Sequence, residues 1–178
     1  DTGVKLQQKT HQLYSGTIKF EDGSYRVIDT SKAEFIKEKF KGYKIGIFYK
    51  FVAELEMLKL IFGNQLTTDL NEFNSTDKNI ALQIVSGREG ISLSNADHLV
   101  FLNIDFSAVS YFQARDRLTT MERKENTIFW IFSKGGIEEK IYRAVQNKKD
   151  YTNDTFKKDF GTGNTKENYN TTRKARLL

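Results

Sequence analysis

Residues 81–123 read ALQIVSGREGISLSNADHLVFLNIDFSAVSYFQARDRLTTMER, and this stretch decides the fold of the chain. Two apolar runs, 80–85 and 98–104, each predict a strand that is buried on both faces of a parallel sheet. The apolar residues after the second run recur at roughly helical spacing and predict a helix; they are Val109, Phe112, Leu118 and Met121. The order of strand, turn, strand and helix indicates an α/β domain.

The predicted helix carries polar residues near the point where it leaves the sheet. Gln113, Arg115, Asp116 and Arg117 interrupt its apolar pattern. Ligands of open α/β sheets bind at this edge, and guanidinium groups are planar, permanently charged forks of donors that suit a phosphate. A solvated helix face with local ion pairs explains the same residues, so the pattern alone leaves both interpretations open.

The turn between the two predicted strands also suits a phosphate. Gly87 and Gly90 permit close backbone approach, so the amides between them can point at a phosphate oxygen, and Ser92 and Ser94 add small donors. An ordinary β–α turn is the alternative interpretation. The turn is not a phosphate-cradling G-x-x-x-x-G-K-[ST] loop.

The order of these segments resembles motifs V and VI of superfamily-2 helicases and translocases, most closely the Swi/Snf-like branch and its phage-borne relatives. The family pattern is G-I-N-L, then A-D-x-V-I-x-x-D, then Q-A-x-x-R-x-x-R. This chain has GISL at 90–93, ADHLV at 96–100 followed by Asp105, and QARDR at 113–117. Order and spacing match together, which is more specific than any single motif.

The resemblance implies a nucleotide site at motif VI. It implies that Gly90, Gln113, Asp116 and Arg117 bind the nucleotide, and that Arg117 is one of two arginines that act on the γ-phosphate. Thr120 stands where the family has the second arginine. We expect Arg123, one helical turn further along, to take the second catalytic position, with Arg115 as the other option.

The resemblance also implies a nucleic-acid interface. We expect Gly87, Arg88 and Ser92 of the turn to lie near the nucleic acid or the interdomain cleft. Residues 67–79 are polar and irregular apart from Leu70 and Phe73, and relatives have a short helix there that approaches a nucleic acid strand. Asn74 and Ser75 are the candidates from this segment.

The residues before the decisive stretch predict further elements. Two short β-prone runs, 17–20 and 25–28, flank an Asp-Gly turn and predict a hairpin. Residues 31–42 predict a helix. The apolar run 43–49 predicts a strand and resembles motif IV, and 51–62 predicts an amphipathic helix that packs on the core.

These elements divide the chain into three parts. Residues 1–42, with a short helix, the hairpin and a second helix, form an entry segment. Residues 43–150 form a three-layer α/β domain with a mostly parallel sheet, and the resemblance names it a RecA-like, P-loop NTPase-type fold. Its last elements are a predicted strand at 127–132 and a helix at 137–145. Residues 151–178 are expected to be a flexible basic tail.

Composition narrows the classes of function. The formal net charge of +5 favours polyanionic partners such as nucleic acid, although basic tails also solubilise. The absence of cysteine excludes disulfides and thiol metal sites, and two histidines leave little for a zinc centre. No apolar run is long enough for a membrane span, and the first ten residues lack a signal-peptide core. The missing initiator methionine suggests a fragment, and we expect a cytoplasmic setting in a bacterium or phage-infected cell.

Two sequence motifs of complete motors are missing. The chain has no G-x-x-x-x-G-K-[ST] loop and no D-E-x-[HD] segment. The leading hypothesis is therefore the second motor domain of an ATP-dependent DNA helicase or translocase, which binds double-stranded DNA and uses ATP and Mg²⁺ only together with a first, N-terminal RecA-like domain. A degenerate, non-catalytic module that binds nucleic acid or protein is the alternative. A stand-alone α/β enzyme ranks last because no nucleophile–base pair or metal cluster is evident.

Overall fold

The computed structural model describes residues 2–84, 93–107 and 128–160. The helices are α1 (Thr2–Tyr14), α2 (Ser31–Lys39), α3 (Val52–Phe62), α4 (Leu70–Ser75), α5 (Ile137–Gln146) and α6 (Asn153–Phe160). The strands are β1 (Thr17–Lys19), β2 (Tyr25–Val27), β3 (Ile45–Tyr49), β4 (Leu66–Thr67), β5 (Asn79–Gln83), β6 (His98–Phe101) and β7 (Ile128–Trp130). Within these ranges, no helix is long and apolar enough to cross a membrane.

Five strands form one sheet in the order β4-β5-β3-β6-β7. Each neighbouring pair in it is parallel. The central strand, β3, places Ile47 opposite Ala81 of β5 and Val100 of β6. These strands are nearly continuous apolar runs because helices cover both of their faces.

Two buried clusters fill the space between the sheet and the helices. On one face, α2 and α3 contribute Ile36 and Met57 to a cluster that includes Ile47 of the sheet. On the other face, α5 contributes Ile141 to a cluster that includes Phe101. The sheet between two helical layers confirms the predicted three-layer fold.

The entry segment packs on the domain. The predicted hairpin is present: β1 and β2 are antiparallel, with Ile18 opposite Arg26. Helix α1 lies against the same face as α5, where the Ser133 hydroxyl donates to the Tyr14 carbonyl over 2.6 Å. Helix α2 lies beside α3 on the opposite face. The two entry helices therefore cover different layers.

Packed structure continues past residue 150, which corrects the expected start of a flexible tail at 151. Helix α6 follows, and the side chains of Tyr151 and Phe156 are buried in the same cluster as Ile141. The Tyr151 amide donates to the Phe106 carbonyl over 2.8 Å. Isolated aromatic side chains in a polar segment are enough to dock it, because each buries a large apolar area. Residues 161–178 lie outside the described residues.

Candidate functional site

One edge of the parallel sheet collects the carboxyl ends of its strands. Lys50 follows β3, Ile84 follows β5, and Leu102 follows β6. Because the strands are parallel, all of these residues leave the sheet on the same side. We refer to it as the carboxyl edge, and it is where open α/β sheets bind ligands.

A partly buried ion pair forms the rim of the carboxyl edge. The Lys50 ammonium lies 3.1 Å from Oδ1 of Asp105, with side chains 20% and 28% exposed. The ammonium also lies over the rings of Phe106 and Phe51, at 5.4 and 5.8 Å from their centroids. Gln83 donates to the Lys50 carbonyl over 3.1 Å. The pair places a partly exposed, ion-paired ammonium at this edge, and an ammonium is a suitable partner for a phosphate oxygen.

A buried carboxylate lies directly behind the rim. Glu54 is in the first turn of α3, where its oxygens accept from the amides of Lys50 and Phe51 over 3.2 and 3.4 Å. It also accepts from Nδ2 of Asn103 over 2.5 Å. Burial raises the pKa of Glu54 to about 7, against the Lys32 ammonium and the hydrogen bond from Asn103, which lower it. Glu54 therefore fixes the backbone on which Lys50 stands.

A buried histidine from α1 completes this group. Nε2 of His11 lies 2.5 Å from Oδ1 of Asn103, and the same oxygen accepts from the Ile104 amide over 2.8 Å. A carboxamide oxygen only accepts, so Nε2 carries the proton. Burial, together with the nearby charge of Lys50, lowers the pKa of His11 to about 3. His11 is therefore a neutral donor, and within the described residues its buried Nδ1 has no hydrogen-bond partner.

A second buried polar group lies at the exits of β6 and β7. Lys32 of α2 donates to the Leu102 carbonyl over 3.0 Å and pairs with Glu138 of α5. The other oxygen of Glu138 accepts from the Ser133 amide over 2.9 Å. Burial raises the pKa of Glu138 and the Lys32 ammonium opposes this. The ion pair thus holds the backbone after two strands.

Most of the residues proposed from the sequence lie outside the described residues. They are Gly87, Arg88, Gly90, Ser92, Gln113, Arg115, Asp116, Arg117, Thr120 and Arg123. These residues fall in two segments, 85–92 and 108–127, and the structure does describe the residue before each segment. Ile84, before the first, follows β5, and its amide donates to the Tyr49 carbonyl over 2.7 Å. Ser107, before the second, comes just after the rim residues Asp105 and Phe106.

The structure does not bring Asn74 and Ser75 to the carboxyl edge. They end α4, the short helix that the resemblance implied, and β5 begins only a few residues later. Lys44, which precedes β3, donates to carbonyls at that helix end. The Ser75 hydroxyl donates to the Asn71 carbonyl over 2.8 Å, and Asn74 accepts from Asn95 over 2.9 Å. These two residues therefore lie near the amino ends of the strands.

Sequence reasoning missed the buried residues behind the rim. Glu54 had only half of a local signal: an acidic side chain three positions after the N-cap can accept from the N-cap amide, but Phe51 lacks the hydroxyl of a full capping box. Asn103 also had one, because it follows a buried strand. His11 and Lys32 had none, since their partners are 92 and 106 residues away along the chain.

The described part of the edge offers a cation for phosphate but no metal centre. Lys50 suits an anionic oxygen, although its ammonium is paired with Asp105 in this structure. Among the residues that the structure describes, no group of three or more His, Cys, Asp or Glu side chains is placed to hold a metal ion.

Comparison with known proteins supports the fold class. No protein-family profile matches the chain. Transcription termination factor 2 of Drosophila melanogaster is 26% identical over 84 residues, which are 47% of this chain and 8% of that protein. The fold is that of RecA-like C-terminal domains of helicase-type ATPases, because solved domains of that class superimpose on most of the chain.

Three solved structures share this fold. The C-terminal part of the Fun30 ATPase domain has a TM-score of 0.52 and 22% identity, covering 63% of this chain and 44% of that one. The Sulfolobus solfataricus SWI2/SNF2 ATPase core in complex with dsDNA has a TM-score of 0.51 and 21% identity, and the match covers 90% of this chain and 37% of that one. The C-terminal domain of the DEAD-box protein Dbp5 has a TM-score of 0.50 and 14% identity, covering 67% and 79%. The chain thus spans less than half of the first two proteins.

Proposed function

We propose that this chain is the C-terminal motor domain of a DNA-dependent ATPase of the helicase or translocase type, of the Swi/Snf-like branch and phage-borne. One observation carries the proposal. The two motif-bearing segments, 85–92 and 108–127, follow strands β5 and β6, which flank the central strand β3. Ile84 and Ser107 thus start both segments from the carboxyl edge, where the fold binds ligands. The RecA-like fold supports the same conclusion.

The nucleotide role belongs to the second segment, with one residue, Gly90, from the first. Gln113, Gly90 and Asp116 would bind the nucleotide, and Arg117 with Arg123 would face its γ-phosphate. Arginines in these positions stabilise the charge that develops on the transferring phosphoryl group. A first motor domain would supply the phosphate loop and the carboxylates for Mg²⁺. Alone, this chain is expected to hydrolyse no ATP.

The nucleic-acid role belongs to the first segment and the rim. Gly87, Arg88 and Ser92 would contact the phosphate backbone, and Lys50 adds a cation at the same edge. Double-stranded DNA is the partner we propose, supported by the similar SWI2/SNF2 core, which was solved in complex with dsDNA. Backbone contacts carry no sequence information, so binding is expected to be independent of sequence. Asn74 and Ser75, which lie elsewhere, would make a separate contact.

One residue favours a second candidate function. Thr120 occupies the position where the motif VI pattern has an arginine. A domain that has lost this group keeps its fold and its surface but not the phosphoryl-transfer step. The second candidate is therefore a non-catalytic module that binds nucleic acid or a protein partner.

ATP hydrolysis stimulated by duplex DNA separates the two candidates. It is measured for this chain joined to its first motor domain, and compared with Arg117→Ala and Arg123→Ala. Loss of an arginine finger lowers kcat by about 10³-fold or more while ATP binding is kept. Arg143→Ala, on the exposed face of α5, is the matched control and is expected to leave kcat unchanged.

Each outcome assigns the function. Activity that Arg123→Ala removes, with ATP still bound, identifies the displaced finger and supports the motor. No activity in the unmodified protein, despite an intact first domain and DNA binding, supports the binding module and contradicts the motor.

A further inference from the structure

Two side chains of the entry segment reach the carboxyl edge and are buried there. His11 is fully buried and Lys32 is 8% exposed. They come from different layers, because α1 lies on the face of α5 and α2 on the face of α3. Buried polar groups of this kind are costly unless they are paired, so their pairing defines a specific arrangement.

The first link runs from α1 to α3 across the end of β6. His11 donates to Oδ1 of Asn103, which also accepts from the Ile104 amide. Nδ2 of Asn103 donates to Glu54, which in turn accepts from the Lys50 and Phe51 amides. One continuous set of hydrogen bonds therefore connects α1 to the backbone on both sides of the rim ion pair.

The second link runs from α2 to α5 across the ends of β6 and β7. Lys32 binds the Leu102 carbonyl and Glu138, and Glu138 accepts from the Ser133 amide. Both links join the helical layer on one face of the sheet to the layer on the other. They do so where the strands end and no sheet separates the layers.

We propose that the entry segment is a positioning element of the carboxyl edge, in which His11 and Lys32 tie the two helical layers together and fix the backbone that carries Lys50, Asp105 and Ser133. The site at this edge is then complete only when the entry segment is docked, and displacing the segment regulates it. The consequence for ligand binding rests on the function proposed above. The positioning itself does not.

The entry segment could stabilise the domain in two ways: by covering apolar surface, or by holding particular backbone amides at the rim through hydrogen bonds. A mere cover would stabilise the whole domain evenly. A support is expected to act locally, because its hydrogen bonds end on particular amides at the rim. Local opening and global unfolding give different patterns of amide exchange, so the two can be told apart.

Amide hydrogen exchange of the 178-residue chain tests the positioning. His11→Leu keeps an apolar body of similar size but removes the donor, and His11→Gln restores an N–H donor. We expect His11→Leu to speed exchange of the Phe51 and Ile104 amides by about tenfold relative to amides of β5, and His11→Gln to recover most of this. Gln8→Ala, on the exposed side of α1, is the matched control.

A second variant covers the case in which His11→Leu fails to fold. Glu54→Gln keeps the side-chain shape but leaves one oxygen to accept from three donors, so it is expected to release the same rim amides. Uniform acceleration across the sheet in the folded variants, or no acceleration at the rim, overturns the proposal. Failure of His11→Gln to rescue His11→Leu overturns it as well.

Binding of a short DNA duplex, followed by fluorescence anisotropy, separates this inference from the proposed function. His11→Leu is expected to weaken binding about fivefold and His11→Gln to restore it, because a preorganised site loses less freedom on binding. If the unmodified chain does not bind duplex DNA, the proposed DNA function fails. The exchange experiment then still decides whether the entry segment positions the edge.

Discussion

At the scale of single residues, the two buried titratable groups behind the rim, His11 and Glu54, differ in charge state near neutral pH. His11 is neutral because burial lowers its pKa to about 3, so it donates one hydrogen bond without adding a third cation beside Lys32 and Lys50. Glu54 is different, since burial raises its pKa to about 7. Its charge state therefore changes in the range where most measurements are made.

Glu54→Gln is expected to change the pH dependence of stability. The folded state holds a proton on Glu54 between pH 4.5, the ordinary pKa of a glutamate, and about 7, while the unfolded state has released it. The Glu54 contribution to the free energy of unfolding therefore falls as pH rises through this window. Whatever the loss of hydrogen bonds costs the variant, the difference in stability between variant and parent should shift in favour of the variant from pH 5 to pH 8, by at most about 3 kcal/mol at about 1.4 kcal/mol per pKa unit.

Urea unfolding at several pH values measures this effect. Glu56→Gln, on the same helix with a side chain 43% exposed, controls for the loss of one negative charge. An identical pH profile for the two variants would contradict the expected role of burial at Glu54.

At the scale of elements, the local sequence predicted the hairpin and the strands well. An Asp-Gly turn between β-prone runs specifies a hairpin by itself, and β1 and β2 are where that signal placed them. Apolar runs likewise predicted β3, β5, β6 and β7, because strands covered on both faces have no polar alternation. Helix α6 was not predicted, since Tyr151 and Phe156 are single aromatics whose partners lie on distant elements.

The junction between α1 and the hairpin depends on one glycine. Gly16 has φ +82°, and a Cβ there would lie 2.4 Å from the backbone oxygen of Asp29. Its own carbonyl accepts from the amides of Ile28 and Asp29, so the chain cannot easily move away. Gly16→Ala is expected to destabilise the domain by about 2–4 kcal/mol, through both the left-handed conformation and the clash.

Gly23→Ala is the matched control for this prediction. Gly23 has φ +87°, but no heavy atom beyond the adjacent residues lies within 4 Å of the position that a Cβ would take, so only the conformational cost of about 1–2 kcal/mol applies. Thermal unfolding followed by circular dichroism compares the two variants. Equal losses of Tm would show that the contact with Asp29 is unimportant.

At the scale of the whole molecule, the candidate site was predictable only in part. The sequence indicated which edge of the sheet binds a ligand, because motif order places polar segments after buried strands. It did not indicate that α1 and α2 reach that edge. His11 and Lys32 are single polar residues in helices, and nothing nearby in the sequence distinguishes them from solvated ones.

The last helix is expected to be part of the folded unit. Phe156 is 4% exposed and belongs to the cluster under α5. Phe156→Ala should therefore lower the free energy of unfolding by about 3 kcal/mol, as for other buried phenylalanines. Lys157→Ala, next to it on the exposed side, should have little effect. If calorimetry finds the same Tm for Phe156→Ala and the parent, α6 does not contribute to the stability of the domain.

The two links across the carboxyl edge also constrain the order of events during synthesis. The partner of His11, Asn103, lies 92 residues later in the chain, and the partner of Lys32, Glu138, lies 106 residues later. A ribosome that adds about 5–20 residues per second therefore leaves both side chains without their final partners for several seconds or more. The entry segment emerges before the residues that pair with His11 and Lys32, so these two hydrogen-bonded links form only after Asn103 and Glu138 have left the exit tunnel.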